Sequence, residues 1–320
     1  MKAAVYHRYG PPEVLGLEEA PTPAIGADDV LIAVTASTVC APDWRFRAAR
    51  PFFVRLFAGL RAPKHKILGM EFSGRVAAVG ANVTRLQLGD EVFGSTGMSG
   101  GAHAEFLRLS QHHRLIAPKP RNLSLEAAAA IVFGGVSALF FLRKCGVKAG
   151  DNVLIYGASG SVGVYCVQLA KHFGARVTGV CSSANLELVR SLGADAVIDY
   201  TRESFASAGH VFDIIIDTVG KSGFSRALEA LKPQGVYAQV ALTDPLTTLL
   251  AMWTSLTGAA NLVGGMARAE DGDVNVLGRL IEEGALRPVI DRVYPLAQIA
   301  EAHRLAEAGH KKGAVVVRIG

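Results

Sequence analysis

Three glycines set among small residues, Gly157, Gly160 and Gly163 in "YGASGSVG" (156–163), mark a backbone that passes close to something. Such a loop does chemistry when it joins a strand to a helix, because the helix's unpaired N–H groups and its dipole then hold a pyrophosphate. "DNVLIY" reads as that strand and "VGVYCVQLAKHFG" as that helix, which is the context a dinucleotide requires. Ala158, Ser159, Gly160, Ser161, Val162 and Gly163 carry the G-x-G-x-x-G spacing, with Ala158 in the first position. Gly160 would let the backbone reach the phosphates, and Gly163 would let the helix pack on the sheet. The competing reading is a tight strand–helix turn with no ligand.

The end of the next strand chooses the nucleotide. A carboxylate about 20 residues beyond the loop would bind the ribose hydroxyls of NAD. "VCSSAN" (180–185) has no acid there, and its small hydroxyls, Ser182 and Ser183, leave room for a 2′-phosphate. NADP(H) is the expected cofactor. NAD(H) stays open, because no Arg or Lys stands in that stretch.

The elements that position this loop follow from pattern. Residues 1–120 read as short β-segments punctuated by turns, including "DVLIAVTAS", "FSGRVAAVG", "DEVFG" and "HAEFLRL", which predicts an antiparallel, barrel-like domain. From about 121, apolar strands alternate with helices: "NVLIY", "RVTGVC", "AVIDY", "FDIIIDTVG" and "GVYAQVA" are the strands of a parallel sheet. After 270, helices at 273–284 and 297–308 flank "PVIDRVYPL", and "AVVVRIG" ends the chain, so the tail is expected to rejoin the first domain. The fold class is α/β.

Composition narrows the function. The chain has 320 residues, enough for two domains, half of them hydrophobic and 19% charged. The formal charge of +5 is spread thinly, with no run of basic residues, which argues against a nucleic-acid partner. The uncharged stretch 245–267 is diluted by Thr, Ser, Asn and Gly, so a membrane span is the lesser reading. Cys40, Cys145, Cys166 and Cys181 show no framework spacing, and the start "MKAAVYHRYG" lacks a signal-peptide core. A cytoplasmic protein is expected.

At this point the chain resembles the medium-chain dehydrogenase/reductase superfamily, in its zinc-free quinone oxidoreductase (zeta-crystallin-like) branch. The likeness runs through "ILGMEFSGRVAAVG" (67–80), "GDEVFG" (89–94), "GGAHAEF" (100–106), "VFGGVSALFFL" (132–142), "AGDNVLIYGASGSVG" (149–163), "SLGADAVIDY" (191–200) and the last 40 residues. It implies a GroES-like β-barrel catalytic domain, 1–121 and 285–320, and a Rossmann doubly wound domain, 122–284, with the cofactor in the cleft. Zinc-dependent relatives hold the metal with a Cys, a His followed by Glu, and a third ligand. Here Cys40 takes the first position, Met70 precedes Glu71 where His is needed, and 131–135 is apolar. One thiol and one carboxylate are too few donors for zinc.

Without a metal to stabilise an alkoxide, alcohol oxidation is the harder reaction. A quinone or an α,β-unsaturated carbonyl takes hydride directly, because its charge delocalises onto the carbonyl oxygen. An NADPH-dependent reductase of such acceptors is therefore expected; a zinc-free alcohol dehydrogenase, or a cofactor-binding protein with little turnover, are the alternatives. The resemblance assigns Cys40, Trp44, Arg45 and Ser137 to the catalytic cleft, although the branch often has Asn at position 40, Tyr at 45 and Thr at 137. Asn185 and Tyr200 are expected at the 2′-phosphate, and Val219, Gly264, Gly265 and Met266 elsewhere around the cofactor.

"ANLVGGMA" (260–267) reads as the last Rossmann strand, which in this family commonly pairs with its copy, so a homodimer is expected, with 245–259 between that contact and the cofactor. The aromatic, basic stretch 44–61 is expected to pack on the core and form a lid, with Trp44, Phe53 and Phe57 as an apolar wall; Pro51 and Gly59 would break any long helix. His112 and His113 read as a surface loop, and Lys311-Lys312 as an exposed turn.

Overall fold

After a two-stranded antiparallel ribbon, β1 (Lys2–Val5) with β2 (Gly16–Glu19), the side chains of β3 (Asp29–Thr38) alternate between core and periphery, so Val30, Ile32, Val34 and Ala36 are buried on one face. The computed structural model describes residues 1–240 and 261–320. They form two units, Met1–Phe133 with Glu270–Gly320, and Gly134–Ala269. In the first unit, β3 pairs antiparallel with β4 (Glu71–Val79), β4 with β5 (Glu91–Ser95), β3 again with β6 (Phe106–Ser110), and β5 with β7 (Ile116–Pro118). Phe72, Val92 and Leu107 join the buried β3 side chains in the core of this GroES-like domain.

Between β3 and β4 run two short helices, α1 (Ala41–Ala48) and α2 (Val54–Ala58). Trp44 and Phe46 of α1 pack against Tyr6, Leu68 and Leu296. The expectation of core packing fails for the rest: Phe52, Phe53, Leu56, Phe57 and Leu60 are all more than half exposed. The reason is length. A five-residue helix between Pro51 and Gly59 buries only Ala58 and has no second turn to lay on the core.

The sequence reading assigned no element to 122–150, where α3 (Leu125–Ala129) and α4 (Val132–Lys144) form. Ser124 caps α3 by accepting from the Ala127 amide. α4 is apolar on nearly every side, so it shows no amphipathic stripe to betray it.

The second unit is a parallel sheet in the order β10-β9-β8-β11-β12-β13. Its strands are β8 (Asn152–Tyr156), β9 (Arg176–Cys181), β10 (Ala196–Asp199), β11 (Phe212–Asp217), β12 (Leu231–Gln239) and β13 (Asn261–Gly264), with α5 (Gly163–His172), α6 (Leu186–Ser191) and α7 (Phe224–Ala230) between them. Leu154, Val180, Ile215 and Tyr237 fill its core. The strand order reverses between β8 and β11, and such a switch point opens a crevice at the strand ends. β13 lies at the sheet edge, as expected of 260–267.

The tail rejoins the first unit as expected. β14 (Ile290–Pro295) pairs parallel with β15 (Ala314–Arg318), and β15 adds antiparallel to β3 through Val316 and Thr38. The helix Ile299–Ala308 between them buries Ile299, Ala302, His303 and Ala306, three or four residues apart on one face. Residues 245–259 lie outside the described residues. Among the described residues, no helix is long and apolar enough to cross a membrane.

Candidate active site

The glycine loop leaves β8 with Gly157 at φ +79°, in the left-handed region that glycine favours. A Cβ on Gly157 would stand 2.2 Å from Val219 Cγ2 and 2.7 Å from Thr218 Oγ1, so the loop and the end of β11 touch backbone to side chain. A Cβ on Gly163 would stand 2.1 Å from the Gly157 carbonyl oxygen. Gly163 therefore lets α5 close on the loop itself, not on the sheet as expected. Gly160 differs: a Cβ there would meet nothing nearer than 3.4 Å. Its backbone is the least crowded of the three and stands three residues before α5 begins.

Asp217, fully buried at the end of β11, shapes the opposite wall. Its Oδ1 accepts from the Val219 and Gly220 amides at 2.9 and 2.7 Å, and its Oδ2 from the Ser222 amide at 2.8 Å. Thr218 Oγ1 donates to the Tyr156 carbonyl at 2.9 Å. Val219 is thereby fixed beside Gly157. Asp217 was missed in the sequence; the signal was an Asp followed by "TVG", the pattern of a side chain that caps its own turn.

At the ends of β9 and β10 the structure corrects one expectation. No acid ends β9, but the parallel register sets Asp199 of β10 opposite Cys181 of β9. Ser183 Oγ donates to Asp199 Oδ2, so the Ser183 hydroxyl proton, expected to serve a 2′-phosphate, is already engaged. Asn185 Nδ2 donates to Ser159 Oγ at 3.0 Å and lies 3.4 Å from Ser182 Oγ, tying this corner to the glycine loop. Asn185 Oδ1 is buried with no partner. Tyr200 is half exposed and its ring lies 6.3 Å from that of Tyr156. Gly264 ends β13, Gly265 follows at φ +118°, and Met266 is exposed. Ser137 is buried in α4. An orphaned buried acceptor and a Cβ-free cradle at a switch point fit a nicotinamide dinucleotide.

The first unit holds the other candidates. Cys40 caps α1: its Sγ and its amide each donate to Asp43 Oδ2 at 2.9 Å, while the Gly69 amide donates to Oδ1 at 3.0 Å. Burial, then the Asp43 and Glu71 charges, push the Cys40 thiol well above its usual range. Glu71 accepts from Thr38 Oγ1 and, at 2.7 Å, from the Phe133 amide. Burial raises its carboxyl to about 7 against those two hydrogen bonds, so it can hold or release a proton near neutrality. Lys311 is half-buried, not exposed as expected; its Nζ donates to the Gly313 carbonyl at 2.6 Å, and burial lowers its pKa. Arg45 lies over the Trp44 ring at 5.5 Å and makes no ion pair among the described residues.

A cavity of about 330 Å³ opens beside this cluster, walled by Tyr6, Asp43, Phe46, Phe57, Met70 and Met98 among others. Its lining is mostly apolar, suited to a flat, weakly polar molecule. Phe57 reaches it, whereas Trp44 and Phe53 are not in its wall. His112 and His113 lie in a loop, His113 Nε2 at 2.6 Å from the Ser95 carbonyl. Met70 offers a weak thioether at the expected histidine position, and among the described residues no three His, Cys, Asp or Glu side chains stand where they could hold a metal. The donors present do not fit a zinc ion.

Comparison with known proteins places this arrangement. Residues 26–121 match the model of the alcohol dehydrogenase GroES-like domain, and 192–317 that of the zinc-binding dehydrogenases. The chain is 33% identical over 329 residues to a 2-methylene-furan-3-one reductase of Solanum lycopersicum, covering 99% of this chain and 79% of that protein. It is also 33% identical to the chloroplastic NADPH-dependent alkenal/one oxidoreductase of Arabidopsis thaliana, again over 99% of this chain and 79% of the relative. Among solved structures, the quinone oxidoreductase from Coxiella burnetii superposes with a TM-score of 0.90 at 31% identity, over 100% of this chain and 99% of that one.

Proposed function

Because the chain belongs to the medium-chain dehydrogenase/reductase superfamily, in its quinone oxidoreductase branch, we propose that it reduces quinones and α,β-unsaturated carbonyls with NADPH, without zinc. NADH is the second donor the site admits. The observation that carries the reading is the pairing of a glycine-loop cradle open at Gly160 with a metal locus in which Met70 replaces a ligand. When bound, the nicotinamide supplies the hydride, the difficult part of the chemistry.

This chain's residues do the rest. Gly157 to Gly163 and the α5 N-terminus hold the pyrophosphate; Ser182, Ser183, Asn185 and Tyr200 border the adenosine ribose; Val219, Ser137, Gly264, Gly265 and Met266 border the nicotinamide half. The mostly apolar cavity by Phe57, Met70 and Met98 would receive the acceptor. The acceptor's carbonyl oxygen would gain negative charge on reduction, and the Arg45 guanidinium, in no ion pair among the described residues, is the cation assigned to stabilise it. Cys40 and Trp44 act from behind the cavity wall, Cys40 by holding Asp43, which lines it, and Trp44 by packing on the core under α1. Glu71, titrating near neutrality, is the proton reservoir of the unit.

The partners of this reading are a small-molecule acceptor and a second copy of the chain, not nucleic acid or a membrane. Four buried, unbridged cysteines suit the cytoplasm. The test follows reduced-nicotinamide absorbance against quinones, enones and simple ketones, with and without chelator. Consumption with quinones and enones but not ketones, unchanged by chelator, is expected. Stoichiometric zinc in the purified protein, with activity lost on chelation, overturns the zinc-free mechanism.

A further inference from the structure

We propose that Asp199 limits how strongly the cofactor site prefers NADPH over NADH, by taking up the hydroxyl protons that a 2′-phosphate would need. The inference rests on the reading of the loop between β8 and α5 as a dinucleotide site. Asp199 is almost wholly enclosed, with 7% of its side chain exposed. Four donors surround it: Ser183 Oγ, the Thr201 amide at 3.0 Å, Thr201 Oγ1 at 2.7 Å, and Arg202 Nε at 3.6 Å. A carboxylate with that many donors is ionised and can only accept.

The direction of each hydrogen bond then follows. Ser183 and Thr201 each have one hydroxyl proton, and each spends it on Asp199. What Ser183 Oγ has left is lone pairs, which repel a phosphate and welcome the O–H of an unmodified ribose. Asn185 repeats the pattern. Its Nδ2 is turned to Ser159 and Ser182, which leaves Oδ1, without a hydrogen-bond partner among the described residues, as its acceptor. Arg202, the cation at this corner, already faces Asp199. Ser183 Oγ, which has Thr201 Oγ1 at 3.4 Å as its other neighbour, and Asn185 Oδ1 are acceptors; acceptors match the diol of an NAD ribose and do not match a dianion. Asp199 thus does from the third strand what an acid at the end of the second strand would do.

The experiment compares dissociation constants of NADPH, NADH, 2′,5′-ADP and 5′-ADP for the wild type, Asp199→Asn and Ser183→Ala, by nucleotide fluorescence and calorimetry. The wild type is expected to bind NADPH and NADH within about tenfold of each other. In Asp199→Asn the negative charge is gone, Arg202 is released, and the amide can donate to Ser183, whose proton turns to the ligand. NADPH and 2′,5′-ADP should bind about tenfold tighter, with NADH and 5′-ADP changed less than about threefold. Ser183→Ala, a smaller change, should leave NADPH within about twofold and weaken NADH more, since only the ribose O–H uses the lone pairs.

A ratio of NADPH to NADH affinity unmoved by Asp199→Asn, in protein that melts normally, overturns the proposal. So does parallel weakening of both nucleotides, which would mark a purely structural residue. If Asp199→Asn does not fold, Ser183→Ala decides: a larger loss for NADPH than for NADH refutes the assignment. Failure of the wild type to bind any of the four nucleotides would instead remove the dinucleotide reading itself.

Discussion

Arg45 is a side chain whose charge has no partner among the described residues, lying against Trp44 and lowered in pKa by desolvation. If it steadies the charge growing on the acceptor's oxygen, Arg45→Met should lower kcat/KM for an enone by about 10- to 100-fold, which is ~1.4 to ~2.8 kcal/mol of transition-state stabilisation. NADPH affinity should stay the same. Steady-state kinetics beside a fluorescence titration separates the two effects. A second residue makes a statement about pH. His303 is fully buried, its two ring nitrogens have no hydrogen-bond partner among the described residues, and its ring lies edge-on to His103 with centroids 5.7 Å apart. Burial, then His103 and Arg47, hold its pKa well below the ordinary value. Arg47 is itself paired to Glu307 one turn further along the same helix. The unfolded chain therefore binds the proton first, at about 6.5. Stability is fully present above that pH and is lost as pH falls from there towards the depressed folded-state value. His303→Phe keeps a ring and removes the titration, so urea unfolding between pH 7 and pH 5 should show a shallower decline than the wild type.

The loop 157–163 works as a unit with the elements it joins. Gly157 and Gly163 are both required by contacts under 3 Å that a Cβ would make, one with the β11 end and one with the loop's own backbone, whereas a Cβ on Gly160 would meet nothing nearer than 3.4 Å. Gly163→Ala should therefore displace α5 from the loop, lowering the melting temperature and weakening both NADPH and NADH, by at least about tenfold in affinity. Gly160→Ala should leave the melting temperature unchanged and weaken the nucleotides alone. A calorimetric melt and a binding titration on each variant check the contrast; equal melting temperatures for the two would contradict it. The place of these glycines between a strand and a helix was legible because they punctuate that pattern; what Gly163 packs against was not, since it depends on how the loop folds back on itself. α4 was not legible, since it is apolar all round and its period of 3.6 does not stand out. The exposure of Phe52, Phe53, Leu56 and Phe57 was not legible either. Aromatic residues read as core until the chain geometry gives α2 too few turns to reach it.

For the whole molecule, the edge strand β13 raises a question of assembly. It pairs with β12 on one side, Val263 beside Ala238, and its other side has no partner strand among the described residues. Such an edge is a template for pairing, and a two-fold dimer covers it in both copies at once. Sedimentation velocity at micromolar concentration should give a dimer, and a monomer there would rule this assembly out. Val263→Pro removes a strand N–H and should shift the population towards monomer. Because Gly264 and Gly265 continue the same strand, cofactor affinity should fall in the same variant.

Local chemistry of the chain by itself determined the alternation of strands and helices, the position of the glycine loop between them, and the weak donor that Met70 offers. Each of these depends on neighbours in sequence: periodicity, turn residues, or one side chain's donor capacity. Only the tertiary structure decided which side chains meet at the end of β9. "VCSSAN" contains no acid, and that remains true, yet the parallel pairing of β9 with β10 carries Asp199 to its edge from a position 16 residues beyond Ser183. Asp43 likewise becomes the partner of Cys40 and Gly69 together only when β4 begins beside α1. A hydroxyl in a sequence is both donor and acceptor. Which of the two it offers a ligand is settled by what the fold places behind it.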